Sequence, residues 1–353
     1  MGKVSYLLKG MLMKIKKILL ISCLLGFISH VSAEEFTKTG SINFNQTFYG
    51  NSGKYKTTTS HPALTIDYNF SPQWNIQLEW NRTWNMYHYT GEVTQQDNSY
   101  GAPELNITNT YGKIGSSNVE WSSNFLAKYE NDYNNTSQTF LMAQTSFDFS
   151  NYIPQKKYFN ITQFAISPIY YYGWNTSGAS GHTNTAVLSL LTNIEFSSNL
   201  SFIFNAYGLR SWNQGSSFLT NPNNKSETTN YFMVISYLNY AKEIYKFNDK
   251  TSVNFNFVTG LDPWISSNKQ TTVEPFLVGE EMYEWLSPTE FNGTYHNTFT
   301  FFAMPQIEFN YQLSQKSFLN FFIQTKYSNQ IWGENEKAWK FQPQGGFGIT
   351  HNF

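Results

Sequence analysis

Residues 339–353, WKFQPQGGFGITHNF, decide how the rest of the chain is read. Taken in steps of two back from Phe353, the residues His351, Ile349, Phe347, Gly345, Pro343, Phe341 and Trp339 share one face. Asn352, Thr350, Gly348, Gly346, Gln344, Gln342 and Lys340 share the other. Side chains alternate with period two along extended backbone, and the glycines would weaken a helix interior, so this is a strand with one apolar and one polar wall. A soluble domain would have to hide the terminal Phe353 ring; hydrocarbon accepts it. The competing reading is an amphipathic edge strand of a soluble sandwich.

The same alternation runs back through the chain. Ile42, Phe44 and Phe48 form one apolar face, Leu64, Ile66, Tyr68 and Phe70 a second, and Trp74, Ile76, Leu78 and Trp80 a third. Only Ser71-Pro72-Gln73 separates the last two, which reads as a hairpin. Further short connections fall at 115–118, 150–157, 197–199, 248–250 and 314–317. Between them lie longer polar stretches at 50–60, 88–103, 130–137, 173–182, 213–227, 262–295 and 329–337. Short and long connections alternate strictly, which predicts fourteen antiparallel strands with both chain ends on the short-turn side. The fold class expected is all-β: a transmembrane up-and-down β-barrel with short periplasmic turns and long extracellular loops.

Composition agrees. Aromatic residues are 18% and charged residues 13% of the 353, yet mean hydropathy is −0.43, a combination suited to strands that show lipid only every second residue. Aromatics gather near the connections, at Trp80, Trp84, Trp121, Tyr170 to Tyr172, Trp174, Trp212, Tyr311 and Trp339, as interfacial girdles would. The echo Arg82-Thr83-Trp84-Asn85 and Arg210-Ser211-Trp212-Asn213 holds both arginines and suits anchoring to head-group phosphates. A net charge of −1 leaves no footprint for nucleic acid.

Residues 1–33 read as a signal peptide. Lys14, Lys16 and Lys17 precede an apolar run from Ile18 to Ile28, Val31-Ser32-Ala33 offers small residues for cleavage after Ala33, and Met13 is the natural start. That cleavage leaves residues 34–353 as the barrel, without Cys23, the sole cysteine, so disulfides and thiolate metal sites are excluded. A lipoprotein box at Leu20-Ile21-Ser22-Cys23 would follow Lys17 too closely for a normal hydrophobic core.

If the alternation fixes the outside, it also fixes the lumen. Its charged members are Asp67, Glu79, Glu120, Lys128, Asp148, Glu195, Glu308 and Lys326, the acids lying nearer the short turns. A lumen so polar must hold water, and an acidic mouth predicts mild cation preference. The 262–295 stretch is acidic but carries Phe276, Leu277, Met282, Tyr283 and Trp285; it is expected to narrow the channel, with Glu280, Glu281 and Glu284 at a constriction. No Gly-x-Ser-x-Gly elbow and no His-Glu-x-x-His pair occurs, although His182 lies near Ser177 and Ser180, and His88 near Asp97. Enzymatic activity, a cofactor and a metal are not expected.

The signal segment, the alternation and Phe353 together resemble Gram-negative outer-membrane porins. The Asn-, Tyr- and Lys-rich, Arg-poor make-up is most similar to fusobacterial major porins, although the arginine cluster of a typical porin constriction is missing. The resemblance implies passive diffusion of small hydrophilic solutes and ions, location in the outer membrane beside lipid and lipopolysaccharide, and a possible homotrimer. It also implies recognition of Phe353 by the barrel assembly machinery. A substrate-selective or hydrophobic-compound channel, and an adhesin displayed on a barrel, are the alternatives.

Overall fold

A computed structural model describes residues 38–50, 59–83, 100–131, 137–177, 181–215, 227–268, 297–329 and 339–353. The signal segment and the 280–284 acids lie outside these residues, as do Trp84, His88 and Asp97. Fourteen strands follow one another: β1 Thr39–Tyr49, β2 Thr59–Asn69, β3 Trp74–Thr83, β4 Tyr100–Lys113, β5 Glu120–Asn131, β6 Ser137–Asp148 and β7 Phe159–Ser177. Then come β8 Gly181–Phe196, β9 Leu200–Gly215, β10 Glu227–Asn248, β11 Thr251–Ser267, β12 Asn297–Gln312, β13 Ser317–Ser328 and β14 Lys340–Asn352. Each pairs antiparallel with its neighbours in sequence, and β1 closes on β14, with Ser41 opposite Asn352 and Tyr49 opposite Gln344. Closure leaves no open sheet edge, the condition for placing strands in lipid.

The short turns are held locally. Ser71 Oγ accepts the backbone N–H of Gln73 at 3.2 Å and of Trp74 at 3.1 Å. Asn199 takes the left-handed conformation, φ 63°, that lets β8 reverse into β9 in three residues. The seam is tied by Gly40 N–H to the Phe353 carbonyl at 3.1 Å and by Phe353 N–H to the Gly40 carbonyl at 2.9 Å. The Phe353 ring lies over Gly40, where a Cβ would stand 2.5 Å from Cζ, and stacks on Tyr68 with centroids 6.2 Å apart. Rings cover glycines on neighbouring strands twice more, Phe140 over Gly173 and Phe322 over Gly346, restoring packing where a strand lacks side chains.

The outward face is apolar around the whole barrel. Leu188, Ile323 and Phe341 are 60%, 69% and 63% exposed, an arrangement water would penalise and hydrocarbon would not. Arg210, also outward, sits 5.4 Å over the Trp212 ring. A bulge in β10 between Glu243 and Tyr245 swaps parity, so that Tyr245 and Phe247 face outward below it.

Three expectations change. Several stretches read as loops are strand: β7 and β8 run on until only residues 178–180 separate them, with Trp174 opposite His182. Likewise β5 and β6 leave only residues 132–136, and β11 passes a bulge after Leu261 to reach Ser267. The ladder satisfies backbone groups whatever the side chains, so it continues past the apolar alternation that marked the strands. Tyr171 belongs to no girdle: period two turns it inward, where it is 1% exposed between the outward Tyr170 and Tyr172. The third change concerns the lumen itself.

Candidate functional site

The inner wall carries the residues with chemical potential, and its character depends on height. Toward the long-loop end it is buried, with Phe140, Met142, Ile169, Tyr171, Tyr207, Tyr231, Met233, Tyr237, Ile265 and Phe302 in one apolar cluster beside buried hydroxyl groups such as Thr185, Ser211, Thr229 and Thr300. The lumen was expected to be too polar for a packed core; inward Phe140, Met142, Tyr207 and Phe302 instead pack together in its upper part. Tyr237 and Phe302 meet edge to face at 5.9 Å.

Lys128 and Lys326 both lie in this upper half. Lys128 is 5% exposed, and its Nζ is 2.7 Å from Glu130 Oε1. It also falls in one cross-strand row with Glu79 and Glu104, so three carboxylates gather around one ammonium. Glu104 and Glu130 were not singled out in the sequence because they adjoin stretches read as loops, although their even numbers put them in phase with Lys128. Lys326 is 1% exposed with Nζ 5.3 Å over the Phe302 ring. Neither lysine presents an open positive patch.

Toward the short turns the wall is polar and half-open. Asp67 accepts both its contacts from Asn75 Nδ2 at 3.1 Å, Glu79 Oε1 accepts Asn81 Nδ2 at 3.1 Å, and Glu120 Oε1 accepts Asn151 Nδ2 at 3.0 Å. Asp148 Oδ1 instead takes the backbone N–H groups of Ser150 at 2.8 Å and Phe164 at 3.2 Å, tying it to the turn that follows β6. Glu120 and Asp148 are direct cross-strand partners. Amide donors orient these carboxylates without cancelling their charge. Glu195 is exposed. Glu308 borders a recess of about 620 Å³ with Glu243, Lys246, Asn254 and Asn310 at the same mouth. The charged positions thus stand at two levels, Asp67, Glu120, Asp148, Glu195 and Glu308 toward the short turns and Lys128 and Lys326 toward the long loops, with Glu79 in the row of Lys128.

One arrangement escaped the sequence reading entirely. Asn256 Nδ2 donates to Gln306 Oε1 at 2.7 Å and Gln306 Nε2 to Gln324 Oε1 at 2.8 Å; Gln324 Nε2 then donates to Gln344 Oε1, and Gln344 Nε2 to Gln342 Oε1 at 3.1 Å. Four strands contribute, and no spacing within one strand could reveal it. His182, the loop-edge histidine, lies on β8 with its ring 5.9 Å from Tyr172. Among the described residues no group of three His, Cys, Asp or Glu side chains could hold a metal ion.

No family model and no curated protein matches the chain. Among solved structures it is similar to a bacterial polysaccharide outer membrane secretin, at 7% identity and TM-score 0.42 over 89% of this chain and 98% of that one. It is also similar to the Pseudomonas putida toluene transporter TodX, at 9% identity and TM-score 0.37 over 91% of each chain. An outer membrane channel from Pseudomonas putida F1 aligns at 9% identity and TM-score 0.33 over 92% of this chain and 100% of that one. Scores and identities this low carry no functional inference.

Proposed function

We propose that the protein is an outer-membrane porin through which small hydrophilic solutes and ions diffuse passively, with a mild preference for cations. The observation that carries this reading is a closed fourteen-strand barrel, apolar outside, whose short-turn half is lined by amides and carboxylates. Fourteen strands enclose more than an eight-stranded barrel can fill with its own side chains. Asp67, Glu120 and Glu308 raise local cation concentration, because neutral amides rather than lysines hold the first two. Arg210 stacked on Trp212 suits a boundary with lipid phosphates or lipopolysaccharide. The compositional likeness to fusobacterial major porins, export by residues 1–33, recognition of Phe353 by the assembly machinery and association as a trimer belong to the same proposal.

A second reading, a channel selective for hydrophobic compounds, is favoured by the apolar cluster in the long-loop half. One measurement separates the two: current through the refolded mature protein in planar membranes under a KCl gradient. A steady conductance with a reversal potential of cation sign, moving toward zero in Glu120→Gln/Glu308→Gln, supports the porin. An anion-sign potential overturns the cation preference. A barrel that inserts without conducting ions, yet takes up monoaromatics into liposomes, supports the second reading.

A further inference from the structure

The chain of amides on β11 to β14 is more than a set of hydrogen bonds between neighbours. Asn256, Gln306, Gln324 and Gln344 are successive cross-strand partners, so they form one row along the hydrogen-bonding direction of the sheet. That row is inclined. Measured from the short-turn end of each strand, Asn256 lies five residues in from Thr251, Gln306 six from Gln312, Gln324 seven from Ser317 and Gln344 eight from Asn352. Gln342 lies two residues beyond Gln344 on the same face, so the row leads from the short-turn mouth toward the long-loop half.

The bonds also share one direction. Asn256, Gln306, Gln324 and Gln344 each give an N–H to the carbonyl of the next amide, and all but Asn256 accept from the one before, which fixes the orientation of these side chains. A primary amide has two N–H groups and two lone pairs, and one donor and one acceptor per residue suffice for the chain. Asn256, Gln306 and Gln324, only half-buried, keep their second donor and second acceptor for the lumen. At the top, the Gln342 amide nitrogen is fully buried and donates to nothing, a costly omission for a group of this kind.

Resting on the porin reading above, we infer that this inclined amide row is a translocation track for neutral, hydroxyl-rich solutes of the saccharide class. Such molecules carry donor and acceptor on every hydroxyl and match amides that offer both. Carboxylates lining the lumen disfavour anions, while neutral amides give no reason to hold a cation. Spaced one strand apart, about 4.8 Å, successive amides let a solute exchange one set of hydrogen bonds for the next without full release.

The test is ion current through single barrels in planar membranes, with a linear glucose trisaccharide added on one side. Block is expressed as a fraction of each protein's own open current. Saturable block is expected in the wild type, with the half-blocking concentration raised about tenfold or more in Gln306→Leu/Gln324→Leu. Should the double variant fail to insert, Gln306→Leu and Gln324→Leu singly are expected to move it in the same direction. A poly(ethylene glycol) of equal hydrodynamic size, poor in donors, serves as the control. Ordinary ion conductance with sugar block that never saturates, or that equals the polymer's, or that the variants leave unmoved, overturns the track alone. No ion conductance from inserted wild-type barrels overturns the porin and the track together.

Discussion

Asn205 and Tyr207 stand two residues apart on the inner face of β9. Asn205 Oδ1 accepts the backbone N–H of Thr192 in the half-open part of the wall, while Tyr207 is fully buried within the aromatic cluster. The same change of character occurs on β13 between half-buried Gln324 and Lys326, which is 1% exposed. Above this level the inward residues behave like the core of a folded domain; below it they behave like the lining of a vessel. An average over the whole lumen, polar on balance, conceals that a porin-like and a core-like region share the same strands.

If the upper half is a core, its charges should be expensive to orphan. Glu130→Ala removes the nearest of the three carboxylates around buried Lys128 and is expected to lower the unfolding free energy by about 3 kcal/mol. Glu195→Gln, on the exposed short-turn half, should change it by less than about 0.5 kcal/mol. Urea titration of both variants in lipid vesicles makes the comparison, and equal losses would abolish the distinction. Phe140→Ala removes a fully buried ring that also covers Gly173 and should cost about 3 kcal/mol in the same titration. An unchanged midpoint would mean that the upper wall is not packed.

A smaller effect is expected at the boundary of the polar side. In Gly346→Ala the new methyl would stand 2.1 Å from the Gln46 carbonyl oxygen and 2.7 Å from the Phe322 ring, and the strands must part to admit it. A loss of about 1–3 kcal/mol is expected, with slower refolding as a second readout. The smallest effect belongs to the solvated turn after β10. Lys246 lies 2.9 Å from Asp249, and its hydrogen bond holds that carboxyl below the ordinary Asp range. A depressed carboxyl stabilises the fold above its unfolded-state pKa and loses that contribution as pH falls through the folded value. Because Asp249 is almost fully exposed, Asp249→Asn should keep the wild-type unfolding midpoint at both neutral and acid pH; a measurable difference would mean the turn is more enclosed than it stands.

The architecture was legible in the sequence because lipid imposes one rule on every strand. Phe341, Phe347 and Ile349 could be placed outside from parity alone, and strand number followed from alternating connection lengths. Strand ends were less legible, since Trp174 pairs with His182 where composition suggests a loop: the backbone ladder needs no apolar side chain to continue. The lumen was least legible. Parity told that Gln324 and Gln344 face inward, but their union with Gln306 and Asn256 depends on register between strands, and register leaves no trace within any one of them.

The stagger that closes fourteen strands also gives the amide row its slope, and a slope around a cylinder has a hand. Asn256, Gln306, Gln324 and Gln344 therefore make the wall asymmetric under reflection. If sugars follow the row, mirror-image forms of one sugar are expected to block the ion current at different concentrations.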